Sequence, residues 1–174
     1  MDWYKAIFEL IDMRSFSNLW FWIVLAVVWS SASHWVMGIP YDMITRARRV
    51  GGQPAEDLEA IARVYVNRLV YISDVSGLWL LGLTCFLISG LLMLGFVYGI
   101  EFAQAVVLLF CPMMMVAFLS LLTARHIAAE GLTGEDLCKR LLRHRLHTQM
   151  IGTVAIFVTA LWGMYQNLTI GVLG

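Results

Sequence analysis

The chain has 174 residues, 60% of them hydrophobic and only 14% charged, against about a quarter charged in soluble domains. A water-soluble domain of this size would lack the polar surface to cover itself, so the composition indicates a membrane protein. The formal net charge is zero, so bulk charge points to no nucleic acid and no strongly charged partner.

Residues 2–14 place Trp3, Ile7, Leu10 and Ile11 on one helical face, with Lys5, Glu9 and Asp12 mostly on another. That pattern predicts a short helix lying on the outer membrane surface. Both signs of charge precede the first apolar run, and the run is too long for the core of a secretory signal.

Four charge-free stretches follow, and each exceeds the ~20 apolar residues needed to cross a hydrocarbon core as a helix. They predict spans at 16–39, 75–98, 102–124 and 149–170. In the first, Ala26, Ser30, His34 and Gly38 recur every four residues as a mostly small stripe. Such stripes let helix backbones approach closely in lipid, so His34 is expected to face another helix. A haem bridge from His34 to His126 fits poorly, because His126 follows Arg125 at the water boundary.

Arg46, Arg48 and Arg49 end the first apolar run. After the break at 51–54, Leu58, Ile61, Tyr65, Leu69 and Ile72 recur at helical spacing, predicting a helix over 54–74 that continues into the second span. Gly95 and Gly99 form a GxxxG at the far end of that span. The third span carries "CPMMM" at 111–115, soft ligands for copper in principle. Consecutive methionines on a helix point in different directions, however, and Pro112 accounts for a kink alone. In the segment 134–148, Thr133 and Asp136 resemble a capping pair, followed by Leu137, Leu141, Leu142 and Leu146. Its basic residues Lys139, Arg140, Arg143 and Arg145 surround His144 and His147 and, with Arg46, Arg48 and Arg49, suit anionic lipid headgroups or a partner. Two histidines alone do not fill a metal site. Ala155, Thr159 and Gly163 make a small-residue ridge in the last span.

The two long interspan segments hold ten Lys and Arg, while the opposite side holds two, Lys5 and Arg14. This bias predicts both termini outside and both large loops in the cytoplasm. Trp20, Trp22, Trp162 and Tyr165 then fall at the outer interface, with Trp35, Tyr41 and Trp79 at the inner one. The expected architecture is all-α: one integral membrane domain over 1–174, with four transmembrane helices, an interfacial N-terminal helix and helical cytoplasmic extensions.

Chemistry is sparse. No Asp, Glu, Lys or Arg lies within a span, which argues against pumps and ion-coupled transporters. No phosphate loop, HExxH or GxSxG is present, and Cys85, Cys111 and Cys138 match no zinc or CxxC spacing. No catalytic residue, cofactor or metal is therefore expected.

The stretches "MDWYKAIFELIDMRSFSNLWFWI", "SHWVMGIPYDMITRAR" and "YGIEFAQAV" resemble a small family of alphaproteobacterial multi-pass membrane proteins often described as components of the SufBCD iron–sulphur assembly complex. The resemblance covers most of the chain and implies a bacterial inner-membrane location. The residues themselves favour a non-catalytic accessory subunit or assembly factor of a larger inner-membrane complex, respiratory or photosynthetic, with lipids and integral membrane proteins as partners. The alternatives are a small oligomeric carrier or channel lined by Ser30, Ser31, Ser33 and His34, and a haem-bearing redox protein.

Overall fold

A computed structural model describes the backbone of residues 15–171 and side chains from Ser15 to Leu168. The surface helix expected over 2–14 falls outside the described residues. A 3-10 turn, Ser15–Ser17, leads into helix α1, Leu19–His34, whose first turn is capped by Asn18 accepting from the Trp20 amide. Two short strands follow, β1 Trp35–Val36 and β2 Ile39–Pro40, then α2 Tyr41–Val50 and α3 Gln53–Leu92. Helix α3 ends in a π turn, Met93–Val97, and α4 Glu101–Glu130 and α5 Gly134–Gly171 complete the described chain. The helical class matches the sequence expectation. Three of the helices, α3 with its π turn, α4 and α5, are long and apolar enough to cross a membrane, whereas α1 is a shorter apolar helix of 16 residues.

The first predicted span, 16–39, is thus cut short at His34. Trp35 pairs with Pro40 and Val36 with Ile39, leaving Met37 and Gly38 as a two-residue loop. Both loop residues have positive φ, 55° and 91°, as the tight hairpin turns that match strand twist require. Gly38 is needed for space as well, because a Cβ there would lie 2.6 Å from the Tyr65 ring. It sits in a hairpin, not on the helical stripe with Ala26, Ser30 and His34. Helix α2 was not anticipated. Pro40 precedes its first turn, Asp42 lies at its positive end, and Arg48 and Arg49 lie at its negative end. Gly51 closes it at positive φ, its amide bonded to the Ala47 carbonyl.

Two cores result. At one end, Val36 and Ile39 of the hairpin, Ile44 of α2, Leu58 of α3, Ile127 of α4 and Leu141 of α5 are buried together. Most of the apolar stripes predicted at 54–74 and 134–148 therefore enter one core with α2 and the hairpin, while Ile72 and Leu146 stay exposed. Along the charge-free stretches a smaller core joins Leu25 and Trp29 of α1 to Ala155 of α5, with Leu109 and Met113 of α4 against it. Helix α3 is nearly bare there: 6% of its most apolar stretch is buried, against 28% for α5.

Candidate functional site

Polar contacts between helices concentrate at two levels. At the first, Arg125 of α4 pairs with Asp74 of α3 at 3.1 Å and bonds the Ser73 hydroxyl at 2.8 Å. The buried His144 of α5 sits between two hydroxyls of α4, Ser120 at 3.3 Å from Nε2 and Thr123 at 3.3 Å from Nδ1. One residue on, Arg145 donates through Nε to the Ser33 carbonyl at 3.1 Å, and its guanidinium lies 3.7 Å from the centre of the Tyr41 ring. Ser33 belongs to the last turn of α1, where unpaired carbonyls make the helix end negative, so a cation is favoured there.

At the second level the centre is Gln104, buried in α4. Its amide donates to the Gly95 carbonyl at 2.7 Å, while its oxygen accepts from Trp162 Nε1 at 3.0 Å and Gln166 Nε2 at 2.5 Å. Glu101 accepts from the Phe16 amide at 2.8 Å, and the Ser17 hydroxyl donates to Asn167 at 2.6 Å. Between the levels, 19–21 residues separate Asp74 from Gly95, Gln104 from Thr123, and Arg145 from Gln166. That is about 30 Å of helix at 1.5 Å per residue. No Asp, Glu, Lys or Arg falls in these intervals.

The small-residue positions divide. Ala155, Thr159 and Gly163 are all buried, and Gly163 lies so close to Phe16 and Trp22 that a Cβ would be 3.3 Å from each. Ala26, Ser30 and His34 face outward from the chain. His34, expected to face another helix, is exposed among the described residues, and its ring lies edge-on to that of Trp35 with centres 5.7 Å apart. Gly95 packs against α4, where a Cβ would be 3.0 Å from the Gln104 nitrogen. Gly99 instead occupies the turn at φ +71°, with open space around it, so the two glycines do not form one helical face.

Of the basic residues, Arg46, Arg48, Arg49 and Arg143 are exposed, and Lys139 pairs along its own helix with Glu135 at 3.1 Å. Arg140 is half-buried, and its Nε has no hydrogen-bond partner among the described residues. His126 lies 3.3 Å from Glu130. The "CPMMM" side chains diverge: Met113 joins the smaller core, Met114 lies 3.9 Å from the Thr84 hydroxyl, and Cys111 and Met115 line an apolar groove of about 490 Å³ between α4 and α5. Among the described residues, no three His, Cys, Asp or Glu side chains converge on a point that would hold a metal.

Sequence reasoning missed Gln104 and the Ser120–Thr123–His144 cluster. The signal for Gln104 was available, since it is the most polar residue of the third span.

Burial pushes the Cys138 thiol above its ordinary value, with Arg48 opposing the rise and Glu59 and Glu135 adding to it. The thiolate is the reactive form, so Cys138 is expected to resist maleimide labelling at neutral pH until the protein is denatured. Mass spectrometry of labelled peptides tests this, and rapid labelling of the folded protein at Cys138 would contradict it.

No protein-family model, curated protein or solved structure matches the chain.

Proposed function

We propose that this chain is a non-catalytic accessory subunit or assembly factor of a larger bacterial inner-membrane complex. The single observation carrying the reading is the contrast within α3. Its lower part is clamped into a dense core with four other elements, yet its most apolar stretch is almost wholly uncovered. A helix anchored at one end and bare along the rest presents a ready surface to the transmembrane helices of another protein. The polar groups at both levels are largely satisfied inside the chain, which leaves contact, not chemistry, as the work available.

In this reading the two polar levels are the two membrane boundaries, since their ~30 Å separation matches a hydrocarbon core. Helix α1 crosses between the same levels, because Phe16 meets Glu101 and Ser33 meets Arg145. It falls short of the usual span length, with the turn before it and the hairpin after it making up the distance. Four crossings with the arginine-rich level on the cytoplasmic side leave both termini outside. A membrane-impermeant label is expected to reach tags at both ends of the chain in intact cells, and protection of either tag would overturn the arrangement. For the subunit role, mild-detergent purification at native abundance is expected to retain one or more integral membrane proteins. Migration as a free monomer would sink it.

A second reading has one observation in its favour. Ser30, Ser31 and His34 are exposed on α1, as they would be in a carrier whose route runs between copies of the chain. Liposome flux unchanged by His34→Ala and Ser30→Leu removes that reading.

A further inference from the structure

We propose that Arg145 forms a binding site for a phosphate oxyanion at the level where α1 ends. A guanidinium carries five N–H donors in one plane. Here Nε is committed to the Ser33 carbonyl, and the plane is held by the Tyr41 ring 3.7 Å beneath it. Among the described residues, the two terminal nitrogens have no acceptor and no carboxylate within 4 Å. Neither nitrogen is sealed from its surroundings, whereas the Arg140 Nε on the same helix is. The side chain itself is half-buried.

A half-buried guanidinium that meets only a ring face and one carbonyl leaves its cation without an anionic partner in a place where charge is costly. Its exposed edge is a fixed fork of N–H groups, the geometry that matches two oxygens of a phosphate. Stacking and the Nε bond remove most of the rotamer freedom that an exposed arginine loses on binding, so the site is organised before the anion arrives. The exposed Arg46, Arg49 and Arg143 have no comparable constraint. A simpler role, in which Arg145 merely straps α1 to α5, uses Nε and the ring but leaves the two terminal nitrogens unexplained.

The phosphate has two sources, a lipid headgroup or free phosphate from the cytoplasm. The headgroup assignment rests on the membrane boundary drawn above, which alkaline carbonate extraction tests separately from binding. The decisive experiment titrates the full chain in dodecylmaltoside with dioleoylphosphatidylglycerol, reading bound lipid by native mass spectrometry and repeating the titration with inorganic phosphate present.

Arg145→Gln is expected to weaken lipid binding about tenfold or more, the size of a charge-assisted pair. Arg143→Gln, one exposed charge away, is expected to cost a few-fold at most. Tyr41→Leu keeps the charge but frees the guanidinium plane, and is expected to weaken binding severalfold even if Arg145→Gln fails to fold. Competition by millimolar inorganic phosphate would identify a soluble ligand for the same site, and absence of competition a headgroup. Equal losses for Arg143→Gln and Arg145→Gln, or unchanged binding in both Arg145→Gln and Tyr41→Leu, would overturn the proposal.

Discussion

Replacing Gly152 with valine is expected to lift α1 away from α5. A single Cβ at this position would lie 2.6 Å from one carbon of the Trp29 ring and 3.1 Å from two others. The ring cannot swing aside cheaply, because Trp29 is 4% exposed and packed in the smaller core with Leu25 and Ala155. Two effects oppose each other. Removing a glycine from a helix interior gains up to about 1 kcal/mol of propensity, although β-branched valine recovers less of it than alanine would. Overpacking a well-filled contact costs about 1–3 kcal/mol, and the smaller cost already applies to one added methyl. Valine adds three carbons, so the cost lies toward the upper end of that range, the clash wins, and a net loss of about 2 kcal/mol is expected. Thermal unfolding in detergent reads it. Gly82 on α3 supplies the control, because nothing lies within 4 Å of its Cβ position and Gly82→Ala is expected to be neutral or mildly stabilising. Gly152→Val should also cost less in a Trp29→Ala background than in the native chain, since the obstacle is then gone. Equal melting for Gly152→Val and the native chain would mean that the seam between α1 and α5 is not formed as described.

That seam marks the limit of what the sequence makes legible. The long helices are written in charge gaps: α3, α4 and α5 each contain a stretch too apolar and too long to be anything else. The direction in which a small residue faces is not written there. Ala155, Thr159 and Gly163 turn inward, while Ala26, Ser30 and His34, at the same four-residue spacing, turn outward. In lipid both faces of a helix are apolar, so the amphipathic contrast that orients a soluble helix is missing. Trp29 and Leu25, the residues that seat α1, look no different from the exposed Trp20 and Val27 until the partner helix is in place.

The hairpin and α2 were hidden for a different reason. "SHWVMGIPY" continues an apolar run without a charge, so it reads as the end of a span. Its turn uses Met37 at positive φ, which a methionine rarely adopts, in place of the Asn-Gly pair that announces such turns. In α2 the spacing of Ile44 and Ala47 was visible, but three arginines in four residues drew the reading toward surface charge. The arginines do face outward, while Ile44 and Ala47 lock α2 onto the core, which is what brings Tyr41 under Arg145.

Gln104→Leu is expected to produce the second large loss of stability, by a route opposite to that of Gly152→Val. Overfilling is the smaller effect, because leucine exceeds glutamine by only about one methylene in volume. What changes is that three hydrogen bonds from one side chain vanish together: one to the Gly95 carbonyl and two from Trp162 and Gln166. Polar contacts between membrane helices are worth about 0.6 kcal/mol on average and up to about 1.7 each, less than their vacuum strength because the partners find other acceptors when the helices part. Gln104 is 5% exposed and bonds the π turn after α3 and two residues of α5, so the loss falls where three helical segments are joined. A total of about 2–4 kcal/mol follows from three bonds near the upper part of that range. The Gly95 approach depends on the same residue, since the carbonyl that Gln104 holds belongs to the π turn that brings α3 back toward α4. Thermal unfolding in detergent should therefore show Gln104→Leu and Trp162→Phe to be non-additive, with a coupling of about 0.5–2 kcal/mol. Strictly additive losses would mean that the glutamine and the indole act independently, and the description of a shared polar centre at this level would fall.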